Sequence, residues 1–278
     1  MSEIVIASFA VVAIGIGFSG CGVSAEPASN ISLPPVGGTP DYQLGGAYSP
    51  DASVDIVARD RKADPDQSRY SICYVNGFQT QPGEADIWPA DTLLHDAGGV
   101  VIDPDWPDEV LLDTSSRESR ERILTTVAPW IVACAEAGFE AVEFDNLDTY
   151  TRSDGALSRD DNLALATAYV DTAHDAGLAA AQKNAAEDAA VLHDRAGFDF
   201  AVTEECAAFR ECDSYTGVYG DHVIDIEYSD ALPRSFGVVC SDPETPSSVV
   251  LRDRNLTLPA ETEYVFETCA HPNRTPNA

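Results

Sequence analysis

The sequence predicts a single (β/α)8 barrel, on three observations. Its 278 residues suit one barrel and are long for a sandwich. From Asp41 onward short apolar runs alternate with helical stretches, the rhythm of βα units in a parallel sheet. Each helical stretch closes on a glycine, at Gly138, Gly177 and Gly197. About eight strands can be counted, which favours a closed barrel over an open doubly wound sheet.

The elements follow in order. Expected strands cover 42–44, 70–75 (YSICYV), 99–102, 140–144, 178–181, 198–202, 223–226 and 236–239. The one at 70–75 is rich in β-branched and aromatic residues. Helices are expected over 115–137, 160–176 and 185–195. In the first, Ile123, Val127, Trp130, Ile131 and Cys134 recur at helical spacing. Beyond Cys240 the periodicity is weak, so the last strand and closing helix are not placed.

The N-terminus sets the compartment. Residues 4–18 are almost wholly apolar, short for a membrane span and the right length for a signal segment. They run into Phe18-Ser19-Gly20-Cys21, which resembles a lipoprotein box with Cys21 as the lipidated residue. Met1-Ser2-Glu3 carries no Lys or Arg, so an uncleaved anchor helix is the competing reading. The expected organisation is an anchor over 1–21, a Gly/Pro/Ser-rich tether over 22–40 and the barrel over 41–278. Both readings put the barrel outside the cytoplasm, at the cell surface or secreted.

Six cysteines remain beyond Cys21, an even number that fits disulfides in an exported chain. They allow fifteen connectivities, and the sequence does not choose among them. The expectation is Cys206–Cys212 closing a short loop, Cys240–Cys269 tying the tail, and Cys73–Cys134 joining a strand to a helix. No CxxC or HExxH is present, and no GxGxxG or GxxxxGK[ST] follows an expected strand. No metal and no cofactor is therefore expected.

Forty-seven acids against sixteen bases give a net charge of −31. Such a surface repels nucleic acid and anionic lipid and attracts polycations. An acidic solubility coat, as in adaptation to high salt, is the expected main cause of that charge, and a cationic substrate accounts at most for the part lining a cleft.

In a barrel the site lies at the C-terminal ends of the strands, so the polar groups there are the informative ones. The strand 140–144 runs into Glu143-Phe144-Asp145-Asn146-Leu147-Asp148. Alternation sets Val142 and Phe144 on one face, Glu143 and Asp145 on the other. The strand 198–202 runs into Thr203-Glu204-Glu205-Cys206, followed by Glu211-Cys212-Asp213. Gln182-Lys183-Asn184 and Asp225-Ile226-Glu227-Tyr228 close two further strands. Each piece has a bland reading: an Asx turn at Asp145, a clamped acidic loop, a lysine serving as salt-bridge partner.

Taken in order, VEFDNLDTY, QKN, VTEECAAFRECD and DIEY resemble glycoside hydrolase family 114, the endo-α-1,4-polygalactosaminidases and their relatives. The resemblance runs from about Asp41 to Cys240 and includes ICYVNG and the stretch from Trp106-Pro107 to Leu112-Asp113. It implies a (β/α)8 barrel, hydrolysis of α-1,4-linked galactosamine polymers and a catalytic pair at Asp145 and Glu204. Tyr74, Glu143, Asn146, Asp148, Lys183, Glu205 and Glu227 are expected to line the polysaccharide site. Two departures stand out. Thr203 replaces a common Asn, implying a lost amide contact to the sugar, and VNGFQTQPGEADIW replaces the usual Ser- and Gly-containing loop. The mechanism expected has Asp145 as nucleophile and Glu204 as acid/base, retaining, with swapped roles or inversion as alternatives. Competing functions are a hydrolase of another glycan and a catalytically silent binder of cationic polysaccharide.

Overall fold

A computed structural model of the protein describes residue 1 and residues 31–269. The N-terminal segment expected as signal or anchor lies outside the described residues. The chain enters the fold through β1 (Pro40–Tyr42), β2 (Ile56–Asp60) and β3 (Tyr70–Asn76). An excursion over residues 77–116 carries a small antiparallel ribbon, β4 (His95–Asp96) and β5 (Gly99–Val100). The sheet then resumes with β6 (Ala141–Asp145), β7 (Ala179–Lys183), β8 (Phe200–Glu204), β9 (Val223–Tyr228) and β10 (Ser248–Arg252). These eight long-sheet strands are all parallel and lie in chain order, and β11 (Phe266–Thr268) adds an antiparallel edge.

Among the described residues no backbone ladder joins β10 to β1. The seam is spanned by the buried guanidinium of Arg252, 3.1 Å from Asp41 Oδ1 and donating to the Tyr42 carbonyl. A charge taken fully out of water needs such partners to be tolerated.

Alternation along the strands makes two cores. Ile72, Ala141, Ala179, Ala181, Phe200, Val202, Ile224 and Ile226 fill the barrel, with Tyr42 among them. The alanines of β7 leave room for the rings of Tyr42 and Phe200, and an added side chain there would cost roughly 1–3 kcal/mol in overpacking. Val75, Val142, Phe144, Ala180 and Ala201 point outward to the helices.

Helix α1 (Arg117–Ala137) starts at Ser116, whose side chain accepts from the Ser119 amide at 3.0 Å. It ends at Gly138, whose φ of 98° is left-handed and open to glycine. Helix α2 (Arg159–Asp175) opens with a capping box between Ser158 and Asp161. Its Tyr169 hydroxyl donates to the Gly77 carbonyl at 2.7 Å, and a Cβ on Gly77 would fall 2.8 Å from that ring. Glycine there lets the end of β3 meet α2 closely. After β7 the expected helix is a broken one: a 3-10 turn at Ala186–Asp188, α3 (Ala189–Val191) and a π turn at Leu192–Ala196. Short helices α4 (Cys206–Phe209), α5 (Cys212–Tyr219) and α6 (Phe236–Val239) complete the described set.

Two expected strands are corrected. Residues 99–102 lie not in the barrel but in the excursion, where β5 folds back on β4 and Ile102 bridges to Val110. Residues 236–239 form α6: Phe236 and Val239 are buried and Val238 is exposed, the spacing of one helical turn and not of a strand. The barrel positions fall instead to β2 and β10, whose apolar runs are short and contain the buried Arg59 and Arg252. All three disulfides pair as expected: Cys73–Cys134, Cys206–Cys212 and Cys240–Cys269.

Candidate active site

The C-terminal ends of β3, β6, β7, β8 and β9 converge on one cleft. It is lined by Tyr74, Asp145, Lys183, Glu204 and Tyr228 from those ends, by Asn146, Asn184 and Glu205 just beyond them, and by Trp106, Glu109 and Arg254 from the excursion and the β10 loop. Its volume is about 290 Å3, near the small end for ligand sites. An adjoining arm shares Trp106, Asp145, Asn146, Lys183 and Asn184 and continues to Asp103, Asp105, Asp148 and Arg152.

Lys183 stands at the centre. Its side chain is 2% exposed, and Nζ lies 2.9 Å from Glu204 Oε2 and 3.6 Å from Asp145 Oδ2. Burial works against its charge, but Asp145, Glu204 and Glu143 more than reverse that, so the ammonium is held above its ordinary range. With 2.9 Å and 3.6 Å on either side of one nitrogen, Asp145 Oδ2 and Glu204 Oε2 are at most 6.5 Å apart.

Each carboxylate has its own donors. Asp145 Oδ2 accepts from the Tyr74 hydroxyl at 2.7 Å, and Oδ1 from the Asn146 amide at 2.7 Å. Glu204 Oε1 accepts from the Tyr228 hydroxyl, and Oε2 from Asn184 Nδ2 at 3.0 Å. Burial pushes the Glu204 carboxyl up, yet Lys183 and the bonds from Tyr228, Lys183 and Asn184 together hold it below its usual value. Burial and the adjacent carboxylates push both tyrosines far up, so they remain donors. The strained backbone of this rim is local: Asn146, Asn184 and Glu205 all adopt positive φ, which turns the chain sharply at three strand ends.

A family model, described as glycoside-hydrolase family GH114, matches residues 22–273. The chain belongs to that family. It is accordingly a glycoside hydrolase on a (β/α)8 barrel. The GH114 chain is similar to Ega3 of Aspergillus fumigatus, solved in complex with galactosamine, at 21% identity and a TM-score of 0.67 over 83% of this chain and 96% of that one. It is also similar to a variant of the glycoside hydrolase domain of PelA from Pseudomonas aeruginosa, at 13% identity and a TM-score of 0.51 over 78% of this chain and 95% of that one. At these identities the likeness concerns the fold. No curated protein matches the sequence.

Six of the expected site residues of this GH114 chain line the cleft: Tyr74, Asp145, Asn146, Lys183, Glu204 and Glu205. Asp148 lies in the adjoining arm, paired with Arg152 at 2.8 Å. Two expectations need correction. Glu143 is 0% exposed, one layer below Asp145 inside the barrel, where it accepts from the Tyr42 hydroxyl at 2.6 Å. Burial pushes its carboxyl up to about 8, against the pull of Lys183 and the bond from Tyr42. Glu227 is equally buried but faces outward, where its Oε1 accepts from the Ala207 and Ala208 amides at 2.8 and 3.2 Å. It anchors α4 and is not among the residues lining this cleft. Thr203 likewise faces outward, with Oγ1 2.9 Å from Asp225 Oδ1, so its replacement of Asn removes no sugar contact.

Tyr228, Asn184, Trp106, Glu109 and Arg254 were not among the expected residues. The signal for Tyr228 was present: counting by twos along β9 places Ile224, Ile226 and Tyr228 inward and Glu227 outward. Arg254 lay hidden in the unplaced tail. It pairs with both oxygens of Glu205, at 2.9 and 3.1 Å, and lies 4.5 Å from the centre of the Tyr228 ring.

Proposed function

We propose that this GH114 enzyme cleaves α-1,4-linked galactosamine-containing polysaccharide outside the cell, with Asp145 and Glu204 as its catalytic pair. The observation that carries the reading is Lys183, one buried cation in contact with both carboxylates, so that Asp145 Oδ2 and Glu204 Oε2 lie no more than 6.5 Å apart. Retaining glycosidases place their two carboxyls about 5–5.5 Å apart and inverting ones about 6.5–9.5 Å, so this arrangement favours retention. The amino sugar bound to Ega3 supports galactosamine as the repeating unit.

In the proposed scheme Asp145 attacks the anomeric carbon as the glycosidic C–O bond breaks, and Glu204 gives its proton to the departing oxygen. The resulting ester between sugar and Asp145 is then hydrolysed by water, which surrenders a proton to Glu204. Tyr74 and the Asn146 amide hold Asp145 in its attacking orientation. Glu204 must first be protonated, while Lys183, Tyr228 and Asn184 favour its ionised form. Burial already acts upward on this carboxyl, and a glycan covering the cleft extends it, raising the acid into working range. Trp106, 60% exposed at the rim, offers an aromatic face for a sugar ring.

Three disulfides fit an oxidising, extracytoplasmic setting. Attachment through the N-terminal segment and Cys21 completes the proposal, with the net charge of −31 drawing a cationic polymer in. The test is to incubate the protein with partially deacetylated α-1,4-galactosaminoglycan and a panel of neutral glycans. New reducing ends from the amino-sugar polymer alone are expected. Release from another glycan would change the substrate, and binding without release from any would leave a silent binder.

A further inference from the structure

The cleft is lined by four carboxylates, and three are fully engaged. Asp145 is held by Tyr74, Asn146 and Lys183, and Glu204 by Tyr228, Asn184 and Lys183. Glu205 has both oxygens on Arg254. The fourth is Glu109, on the turn that begins at Trp106, where the Glu109 amide donates to the Trp106 carbonyl at 2.9 Å. Its Oε2 accepts from Asn76 Nδ2 at 3.0 Å and Gln79 Nε2 at 2.6 Å. Its Oε1 has no hydrogen bond or ion pair among the described residues, although the residue is only 9% exposed. A buried carboxylate with one oxygen tied down and the other free is a preorganised acceptor.

The position of that acceptor is fixed relative to Asp145. Asn76 is the register partner of Asp145 across β3 and β6. Asn76 donates to Glu109 and accepts from Asn146 Nδ2 at 3.1 Å. Burial and the charges of Asp145 and Asp103 push the Glu109 carboxyl up, against the bonds from Gln79 and Asn76. A cation delivered to Oε1 would relieve both influences.

We infer that Glu109 is the residue that selects the free amine: its Oε1 receives the 2-ammonium group of a galactosaminyl unit bound beside Asp145. An N-acetylated sugar brings a neutral amide and extra bulk to the same oxygen, so Glu109 discriminates deacetylated from acetylated units. The inference rests on the amino-sugar reading above and adds the residue that enforces it.

The variant E109Q keeps an oxygen for Asn76 and Gln79 and replaces the free oxygen by an amide. Losing one charge-assisted bond should raise KM for deacetylated α-1,4-galactosaminoglycan about tenfold or more. The preference over N-acetylated chains should fall by a similar factor, with kcat changing less than KM. A folded E109Q, judged by its Tm, with unchanged preference would overturn the assignment. If E109Q does not fold, inhibition of the native enzyme decides: galactosamine should inhibit about tenfold more tightly than galactose, and equal inhibition would overturn it. If the native enzyme cleaves neither polymer, the functional reading has failed separately. Calorimetric binding of galactosamine to the native protein and its loss in E109Q would still uphold Glu109, and equal binding by both would overturn it.

Discussion

The Lys183 ammonium lies 2.9 Å from Glu204 Oε2 at the floor of the cleft. Lys183, which also lies 3.6 Å from Asp145, joins the bonds from Tyr228 and Asn184 in holding the Glu204 carboxyl below its ordinary value. A group held below its ordinary value loses its proton at lower pH. As the proposed general acid, Glu204 must carry that proton, so activity should decline as pH rises through its carboxyl. The decline in kcat/KM, which reports the free enzyme, should therefore fall at lower pH than the decline in kcat, which reports the covered site. Steady-state profiles give both. Coincident limbs would remove Glu204 from the acid role.

Replacing Lys183 by Met removes the cation from between two carboxylates. Glu204 should titrate higher, and the falling limb of kcat/KM should move to higher pH. The rate at the optimum should drop by about a hundredfold or more, the size typical for loss of preorganised electrostatics. A K183M profile with an unmoved limb would show that the lysine does not tune Glu204.

The two carboxylates should respond differently to substrate reactivity. D145N should lose about a thousandfold or more on polymer and on aryl glycosides alike, because the proposed nucleophile serves both. E204Q should lose about 10²–10⁴-fold on polymer and much less in the bond-breaking step of an aryl glycoside whose leaving group departs unprotonated. Pre-steady-state bursts on the aryl substrate separate the steps. The opposite pattern would swap the roles.

Glu143 makes a stability prediction with a definite sign. Its carboxyl is pushed from 4.5 to about 8 in the fold. The folded state thus favours the protonated form, so this contribution is complete below about pH 4.5 and is lost as pH rises through about 8. The full swing is on the order of a few kcal/mol. E143Q keeps an acceptor for Tyr42 and cannot titrate. Denaturant melts at pH 5 and pH 8 should show the native protein losing more stability over that interval than E143Q. Equal losses would mean Glu143 is ionised inside the barrel.

Much of this was legible in the sequence because it depends on local patterns. Alternation in AVEFD and FAVTE sets Asp145 and Glu204 on the inner face at strand ends, and glycines mark the helix stops. What was not legible depends on depth and on long-range closure. Glu143 shares a face with Asp145, but two residues deeper on a closing barrel the same face is sealed from water. β2 and β10 read poorly because each carries a buried arginine whose partners, Gln43 for Arg59 and Asp41 for Arg252, come from β1 or just beyond it. Arg254 and Glu109 reach the cleft on loops whose paths no periodicity encodes.

The most direct measurement traps the intermediate. A 5-fluorinated α-galactosaminyl fluoride should inactivate the enzyme with time, and peptide mass spectrometry should find the sugar on Asp145, with no adduct in D145N. An adduct on Glu204 would reverse the pair, and turnover with inversion and no adduct on either residue would contradict the account.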